Sequence, residues 1–468
     1  MIIMKFGGTS VQDATSIQKV YEIVQQRRTR LNSPVLVVVS AMAKVTDSLV
    51  EISSRLIASD LSGAQKLMLG IRNRHLEAGK ELDLPTESLS KVLSCIDEIQ
   101  SLLPALSIIG EVSPRSRDRI LAMGELASSL LVSGYFNSRG GGTEEIGNWL
   151  DSRSLIKTDS NHGCASVDFI RTQQCIDALF AKPSGREGIL VCGGFIGSDS
   201  ANHTTTLGRG GSDYSASILG AAVDARQIEI WTDVDGVLTT DPRLVPSAKR
   251  ILQMGFEEAS ELAYFGAKVL HPATIFPAVK KKIPVLVLNS KNPASTGTVI
   301  KYESIQDANV VKAIAFKRKI TMVNIHSTRM LGASGFLKSI SDIFAQRNIS
   351  VDLISTSEVS VSMTLDPSYT AESLKDAILE IEQFASISVL KDKSSVSTVG
   401  AGIRHSSGVA ARIFQAIREF NVSMISMGAS EVNVSIVVED QDLPKVVEQL
   451  HREFFSGPLN PEIFAVER

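Results

Sequence analysis

A chain of 468 residues is too long for one hydrophobic core and implies roughly three domains. Hydrophobic residues at 43% and charged residues at 21% are the composition of a globular protein, and a net charge of −3 leaves no basic surplus for nucleic acid. The four scattered cysteines (Cys95, Cys164, Cys175, Cys192) lack Cys-x-x-Cys spacing and suit a reducing, cytoplasmic setting, and the seven histidines show no metal-ligand spacing.

Residues 2–6 read as a strand, so the fold is expected to begin at once, with no targeting peptide ahead of it. The strand runs into Lys5-Phe6-Gly7-Gly8-Thr9-Ser10. Two glycines between a lysine and a helix let the backbone approach an anion, with helix N–H groups and the lysine charge facing it. By itself the hexapeptide fits a phosphate cradle and a plain tight turn equally well.

An amphipathic helix is expected over 16–28, then a buried strand over 34–40, whose aliphatic core Val35 to Val39 is far short of the roughly 20 residues of a membrane span. Residues 47–134 read as mostly helical, with breaks near 59–62 and 85–90. Further buried strands are expected at 188–193, 228–232 and 283–288. The alternation implies an α/β domain over 1–300 with a mainly parallel sheet and helices on both faces.

Beyond residue 300 the chain repeats itself at a constant offset of 73 residues: Gly335 matches Gly408, Asn348 matches Asn421, and Glu358 matches Glu431. Each copy reads as a ferredoxin-like βαββαβ unit. The expected bounds are 313–390, completed by 455–468, for the first and 394–454 for the second.

Three more segments carry chemistry. Thr204-Thr205-Thr206-Leu207-Gly208-Arg209-Gly210-Gly211-Ser212-Asp213 sets one arginine among three glycines ahead of a helix, which suits a bidentate grip on a carboxylate or phosphate. It is neither a dinucleotide fingerprint nor a Walker loop. Trp231-Thr232-Asp233-Val234-Asp235-Gly236-Val237-Leu238 and Asp241-Pro242-Arg243 place hydroxyls and carboxylates past a strand end, where open α/β sheets bind ligands. Phe265-Gly266-Ala267-Lys268-Val269 adds a second lysine beside a glycine.

In order and spacing these segments resemble the aspartate kinases of the amino-acid kinase family, and the paired repeats resemble their regulatory ACT domains. The resemblance covers essentially the whole chain. It implies that Lys5 and Lys268 hold the phosphates of ATP, with Asp213 organising the lysines. Aspartate would be held by Arg209 and Glu125, helped by Ser40, Thr46, Phe195, Gly210 and Ser212. Gly7, Gly8, Thr9, Ser10, Thr232, Asp233, Leu238, Arg243 and Val269 would line the nucleotide pocket, within a nucleotide-binding part at about 200–300, with Mg2+ accompanying ATP. Leu238 departs from a tyrosine common in the family.

The effector site of lysine-inhibited members matches Met330, Gly335, Phe336, Leu337, Ser350, Val351 and Asp352, although Ala333 replaces an expected serine. Met424 is read as replacing the acid of Asp352 in the second copy, so the first repeat is expected to bind the effector, L-lysine. ACT pairing implies a homodimer or a dimer of dimers, with no membrane partner. An amino-acid sensor with an inactive kinase domain and a kinase for glutamate or uridylate are the rival readings. A fused homoserine dehydrogenase is not expected, the sequence running to Arg468.

Overall fold

The computed structural model describes residues 1–140, 146–181, 188–265, 272–305, 307, 310–330, 334–366 and 369–465. Two compact units divide the chain: Met1–Val237 with Val269–Glu303, and Leu238–Lys268 with Ser304–Arg468.

The first unit begins with β1 (Ile2–Phe6), then α1 (Ala14–Leu31), whose N-terminus Asp13 caps by accepting the Ser16 N–H, and β2 (Val35–Val39). Four helices follow: α2 (Val45–Ile57), α3 (Leu61–Glu81), α4 (Thr86–Ile109) and α5 (Pro114–Arg139). After these come β3 (Ile146–Leu150), α6 (Ser152–Leu155), α7 (Phe169–Phe180), β4 (Ile189–Gly193), the hairpin β5 (Ile196–Ser198) and β6 (Thr204–Thr206), α8 (Gly211–Ala222) and β7 (Gln227–Thr232). A segment of the second unit intervenes with β8 (Gln253–Gly255) and α9 (Phe256–Tyr264). The first unit then resumes with α10 (Pro272–Lys280), β9 (Val285–Asn289) and β10 (Thr298–Lys301).

Its strands run in the order β3-β4-β2-β1-β7-β9-β10, parallel as far as β9, with β10 antiparallel. β1, β2 and β4 are buried at every position, which is why they read as unbroken apolar runs. The register pairs Phe6 with Val39 and with Trp231, and Val39 with Gly193. The residues that follow, Gly7, Ser40, Gly194 and Asp233, therefore leave the same edge of the sheet.

The expected helical stretch has one break that the sequence reading did not place. Gly110 ends α4 in a left-handed conformation (φ +68°), and Ser113 caps α5 with Pro114 at its first position. Glycine, serine and proline in those places are a readable stop and start. Among the described residues α4 alone is long and apolar enough to cross a bilayer. Its Val92, Ile96, Ile99 and Leu103 face is packed into the unit's core.

In the second unit, after β8 and α9, come β11 (Ala313–His326), α11 (Phe336–Gln346), β12 (Val351–Thr356), β13 (Ser360–Leu365), α12 (Ala371–Ile381), β14 (Ser386–Val399), α13 (Val409–Ala416), β15 (Met424–Met427), β16 (Asn433–Glu439) and α14 (Leu443–Phe455). The strands form one antiparallel sheet, β12-β13-β11-β14-β16-β15. The repeats thus share strands where separate units were expected. β14 closes the first repeat with its N-terminal part and opens the second with Ser394–Val399, crossing the expected boundary at 390–394. The second repeat is closed by the start of β11, where Ala313–Lys317 pairs with Ser395–Val399. Strands of 14 residues, more than twice the usual length, are long enough to serve both.

Residues 455–468 were expected to complete the first repeat. β14 fills that place, and the tail instead reaches Ile251, which Phe464 bridges. A second departure concerns 238–268, expected within the catalytic domain. The buried Glu258 carboxylate accepts from the Lys312 ammonium (3.1 Å), the Ser304 hydroxyl (2.8 Å) and the Ala401 N–H (2.7 Å). A carboxylate and an ammonium buried together need such saturation, and it ties this segment to the ACT-like sheet.

Candidate active site

Lys5 lies near the end of β1 and is almost wholly buried. Its ammonium is 2.7 Å from the Asp213 carboxylate, in the first turn of α8. No side chain caps α8, whose positive end follows Gly210 (φ +71°). Beyond β1 the Gly7 N–H donates to the Trp231 carbonyl (3.1 Å), and Gly8 to Ser10 make a single 3-10 turn with Thr9 half-buried. A Cβ on Gly8 would stand 2.7 Å from the Ala41 carbonyl oxygen, so only glycine lets the loops after β1 and β2 meet. The buried Ser10 hydroxyl is 2.8 Å from that of Ser290, which donates to the Thr232 carbonyl.

A cavity of about 330 Å³ opens beside this pair, lined by Lys5, Ser40, Thr46, Glu125, Phe195 and the turn from Gly208 to Asp213. Every expected aspartate-binding residue is therefore gathered in one place from five elements or loops. Glu125, on α5, is 3% exposed. One of its oxygens accepts the Ala41 N–H (3.3 Å), and the other is buried without a partner among the described residues. Burial pushes its pKa up to about 8, against the pull of the Ala41 and main-chain N–H groups and of Lys5. Arg209 is exposed and, among the described residues, has no ion-pair partner.

The walls of the cavity are held by strain and close packing. Phe195 takes a left-handed φ of +68°, rare for a bulky residue. It is pinned by its N–H to the Ser215 hydroxyl (2.9 Å) and by its carbonyl, which accepts the Leu207 N–H (2.9 Å). A Cβ on Gly194 would come 2.7 Å from Ser212 Cα, so glycine there lets β4 run hard against α8.

The residues expected around the nucleotide are divided. Thr232 and Asp233 leave β7 beside Gly7, and the Thr232 hydroxyl donates to Asp233 (3.3 Å). Leu238 and Arg243 belong to the second unit, where Leu238 bridges Arg250 and Arg243 pairs with Asp241 (2.5 Å). Lys268 and Val269 lie outside the described residues.

Of the expected effector residues, Met330, Phe336 and Val351 pack on the first repeat's core, while Leu337 and Ser350 are exposed. Gly335 (φ +90°) opens α11. The Asp352 carboxylate is buried and already paired: it accepts the Tyr264 hydroxyl (2.6 Å) and the Lys317 ammonium (2.9 Å), which also stacks over the Tyr264 ring. The 73-residue offset puts Ile425, not Met424, at the corresponding place in the second copy, and it carries no acid either. Residues 331–333, Ala333 among them, are outside the description.

The sequence reading passed over Ala41, Ser215 and Asp118. Asp118 stands seven residues before Glu125 on α5, on the same helix face, which is a readable signal. The Ala41 N–H and the Ser215 hydroxyl act on residues 84 and 20 positions away, and no local pattern announces that.

Residues 1–289 match the family described as "Amino acid kinase family", and residues 396–454 match one described as "ACT domain". The lysine-sensitive aspartokinase 3 of Escherichia coli is 36% identical, over 97% of this chain and 99% of its own length. The crystal structure of E. coli aspartokinase III with aspartate and ADP (R-state) is similar at a TM-score of 0.83, covering 97% of this chain and 100% of that one, at 36% identity. Its complex with lysine and aspartate (T-state) gives 0.81 at 35% identity, over 97% and 99%. The chain therefore belongs to the amino acid kinase family, as an aspartokinase with C-terminal ACT domains.

Proposed function

We propose that this aspartate kinase transfers the γ-phosphoryl group of ATP to the β-carboxylate of L-aspartate, giving 4-phospho-L-aspartate, as the first step of the diaminopimelate route to lysine, threonine and methionine. One observation carries the reading. Among the described residues, a single cavity holds a buried carboxylate oxygen with no partner, an unpaired guanidinium, and a lysine held by an acid.

Glu125 receives the substrate ammonium, and Arg209 grips the α-carboxylate. Ser40, Thr46, Phe195, Gly210 and Ser212 line the remaining wall. The β-carboxylate is ionised at neutral pH and needs no general base. One of its oxygens bonds to the γ-phosphorus as the bond to the β,γ-bridging oxygen breaks, releasing ADP. The barrier is the approach of an anion to a polyanion, so Lys5, aimed by Asp213, supplies the neutralising charge. Gly7 to Ser10, Thr232 and Asp233 form the nucleotide side within the first unit.

Among the described residues no cluster of three or more His, Cys, Asp or Glu is fit to cage a metal. Mg2+ would accompany the nucleotide phosphates, where it would neutralise charge. The test is ATP-dependent hydroxamate formation from aspartate and hydroxylamine. Activity supports the reading, and none at any effector concentration makes the chain an amino-acid sensor. Competition by glutamate or uridylate checks the substrate.

The raised pKa of Glu125 gives a pH signature. Free enzyme carries Glu125 protonated below about 8, and only the ionised form pairs with an ammonium. The kcat/KM for aspartate is expected to rise with pH up to about 8 and then level, with Glu125→Gln abolishing that limb. A flat wild-type profile from pH 6 to 9 refutes the assignment. The linkage to stability has the opposite sense. A carboxyl whose pKa rises on folding loses stability as pH climbs from the usual 4.5 towards about 8, so Glu125→Gln should melt higher than wild type at pH 8.5.

Feedback by L-lysine is proposed at the first ACT repeat, around Met330, Gly335, Phe336, Leu337, Ser350, Val351 and Asp352. A lysine effector must compete with Lys317 for Asp352. Asp352→Asn is expected to raise the half-inhibiting lysine concentration at least tenfold, and an unchanged value counts against the site. Exposed Ile354 on β12 and Ile425 and Met427 on β15 support self-association through the sheet edges, as a cytoplasmic homodimer or dimer of dimers.

A further inference from the structure

One buried carboxylate of the first unit has no part in the chemistry above. Asp118 is the fifth residue of α5 and is completely buried. A carboxyl group buried this deeply needs its oxygens hydrogen-bonded, and here they are. Oδ1 accepts the Thr206 hydroxyl at 2.6 Å. Oδ2 accepts the N–H groups of Thr206 (3.2 Å) and Gly163 (3.1 Å) and lies 2.9 Å from His162 Nδ1.

All of these partners sit at the root of the Gly-rich turn. Thr206 ends β6, and Gly208, Arg209 and Gly210 follow within four residues. The Ala165 N–H donates to the Thr206 carbonyl (2.9 Å), and a Cβ on Gly208 would come 3.2 Å from Cys164 Sγ. The segment 162–165 is thus a floor beneath the turn, and Asp118 joins floor and turn to α5.

Glu125 lies seven residues further along α5. That spacing returns to the same helix face about 10 Å along the axis. One rigid helix therefore carries Glu125 directly and, through Asp118, fixes the base from which Arg209 projects. Arg209 has no ion-pair partner of its own among the described residues, so its place follows from the turn, which Asp118 holds from beneath alongside the Leu207 N–H to Phe195 carbonyl bond.

We infer that Asp118 is a positioning residue that sets the separation between Glu125 and Arg209, and with it the length of amino dicarboxylate the cavity accepts. The inference rests on the proposed roles of those two residues. A purely structural Asp118 would disturb aspartate and nucleotide binding alike; a ruler disturbs the amino acid alone.

The experiment measures kcat, and KM for aspartate, glutamate and ATP, in the full-length enzyme. Asp118→Asn turns an amide NH2 towards donors that need an acceptor. It is expected to raise the KM for aspartate at least tenfold and to lower the preference for aspartate over glutamate at least tenfold, with the KM for ATP within twofold. Thr206→Val removes only the 2.6 Å hydroxyl bond and should shift the same quantities the same way by less. It decides the question should Asp118→Asn fail to fold. An unmoved aspartate KM in the folded variants, or equal shifts for aspartate and ATP, overturns the inference. Wild-type enzyme without hydroxamate activity would instead overturn the functional reading beneath it.

Discussion

Lys5→Ala is expected to lower kcat by about 10³-fold or more while leaving the fold intact, because on the proposed mechanism it removes a buried cation that neutralises the transferring phosphoryl group. The side chain is short of solvent and held 2.7 Å from Asp213, so its charge acts in a low dielectric where it is worth most. Its loss leaves Asp213 an unpaired acid beside polyphosphate, which adds repulsion to the missing attraction. Lys5→Met keeps the stem and lacks the charge, so it separates packing from electrostatics. Both variants should fall alike in kcat, with circular dichroism unchanged. A folded Lys5→Ala enzyme turning over near the wild-type rate would remove Lys5 from the mechanism.

Arg209→Ala is expected to cut kcat/KM for aspartate by about 100-fold, mainly through KM, with the KM for ATP nearly unchanged. Two charge-assisted hydrogen bonds to a carboxylate are worth about 3–6 kcal/mol when sheltered, and the exposure of Arg209 takes the estimate to the lower end. Arg209→Lys should recover little, since an ammonium cannot reproduce the planar fork. Comparable losses for aspartate and ATP would instead place Arg209 on the nucleotide.

Much of this was legible in the chain. The strand bearing Lys5 and the turn bearing Arg209 are local patterns, where apolar runs, glycines and a following helix report directly on backbone geometry. The 73-residue repeat needed no structure either, because a constant register is a property of the string. The sharing of β11 and β14 between the repeats was not legible. Which strand closes a βαββαβ unit depends on pairing between distant segments, and both candidates had the same local character.

The electrostatic state of the site was equally out of reach. Glu125 is an ordinary glutamate in the sequence, and the missing partner and raised pKa follow from α5 being packed against the loop at Ala41. Asp352 was expected in an effector site, and the fold supplies Lys317 and Tyr264 to it from 35 and 88 residues away. Asp118 gained its place through partners 44 to 88 residues off.

Sequence alone thus determined the lysine-bearing strand, the glycine-rich turn and the duplicated C-terminal half, each written in contiguous residues whose local geometry is strongly constrained, and the reaction type came from several such segments taken together. Tertiary structure alone decided which charges are spent and which are left unpaired. Burial and hydrogen bonding are set by what the fold brings against a side chain, and no neighbour in the chain records it.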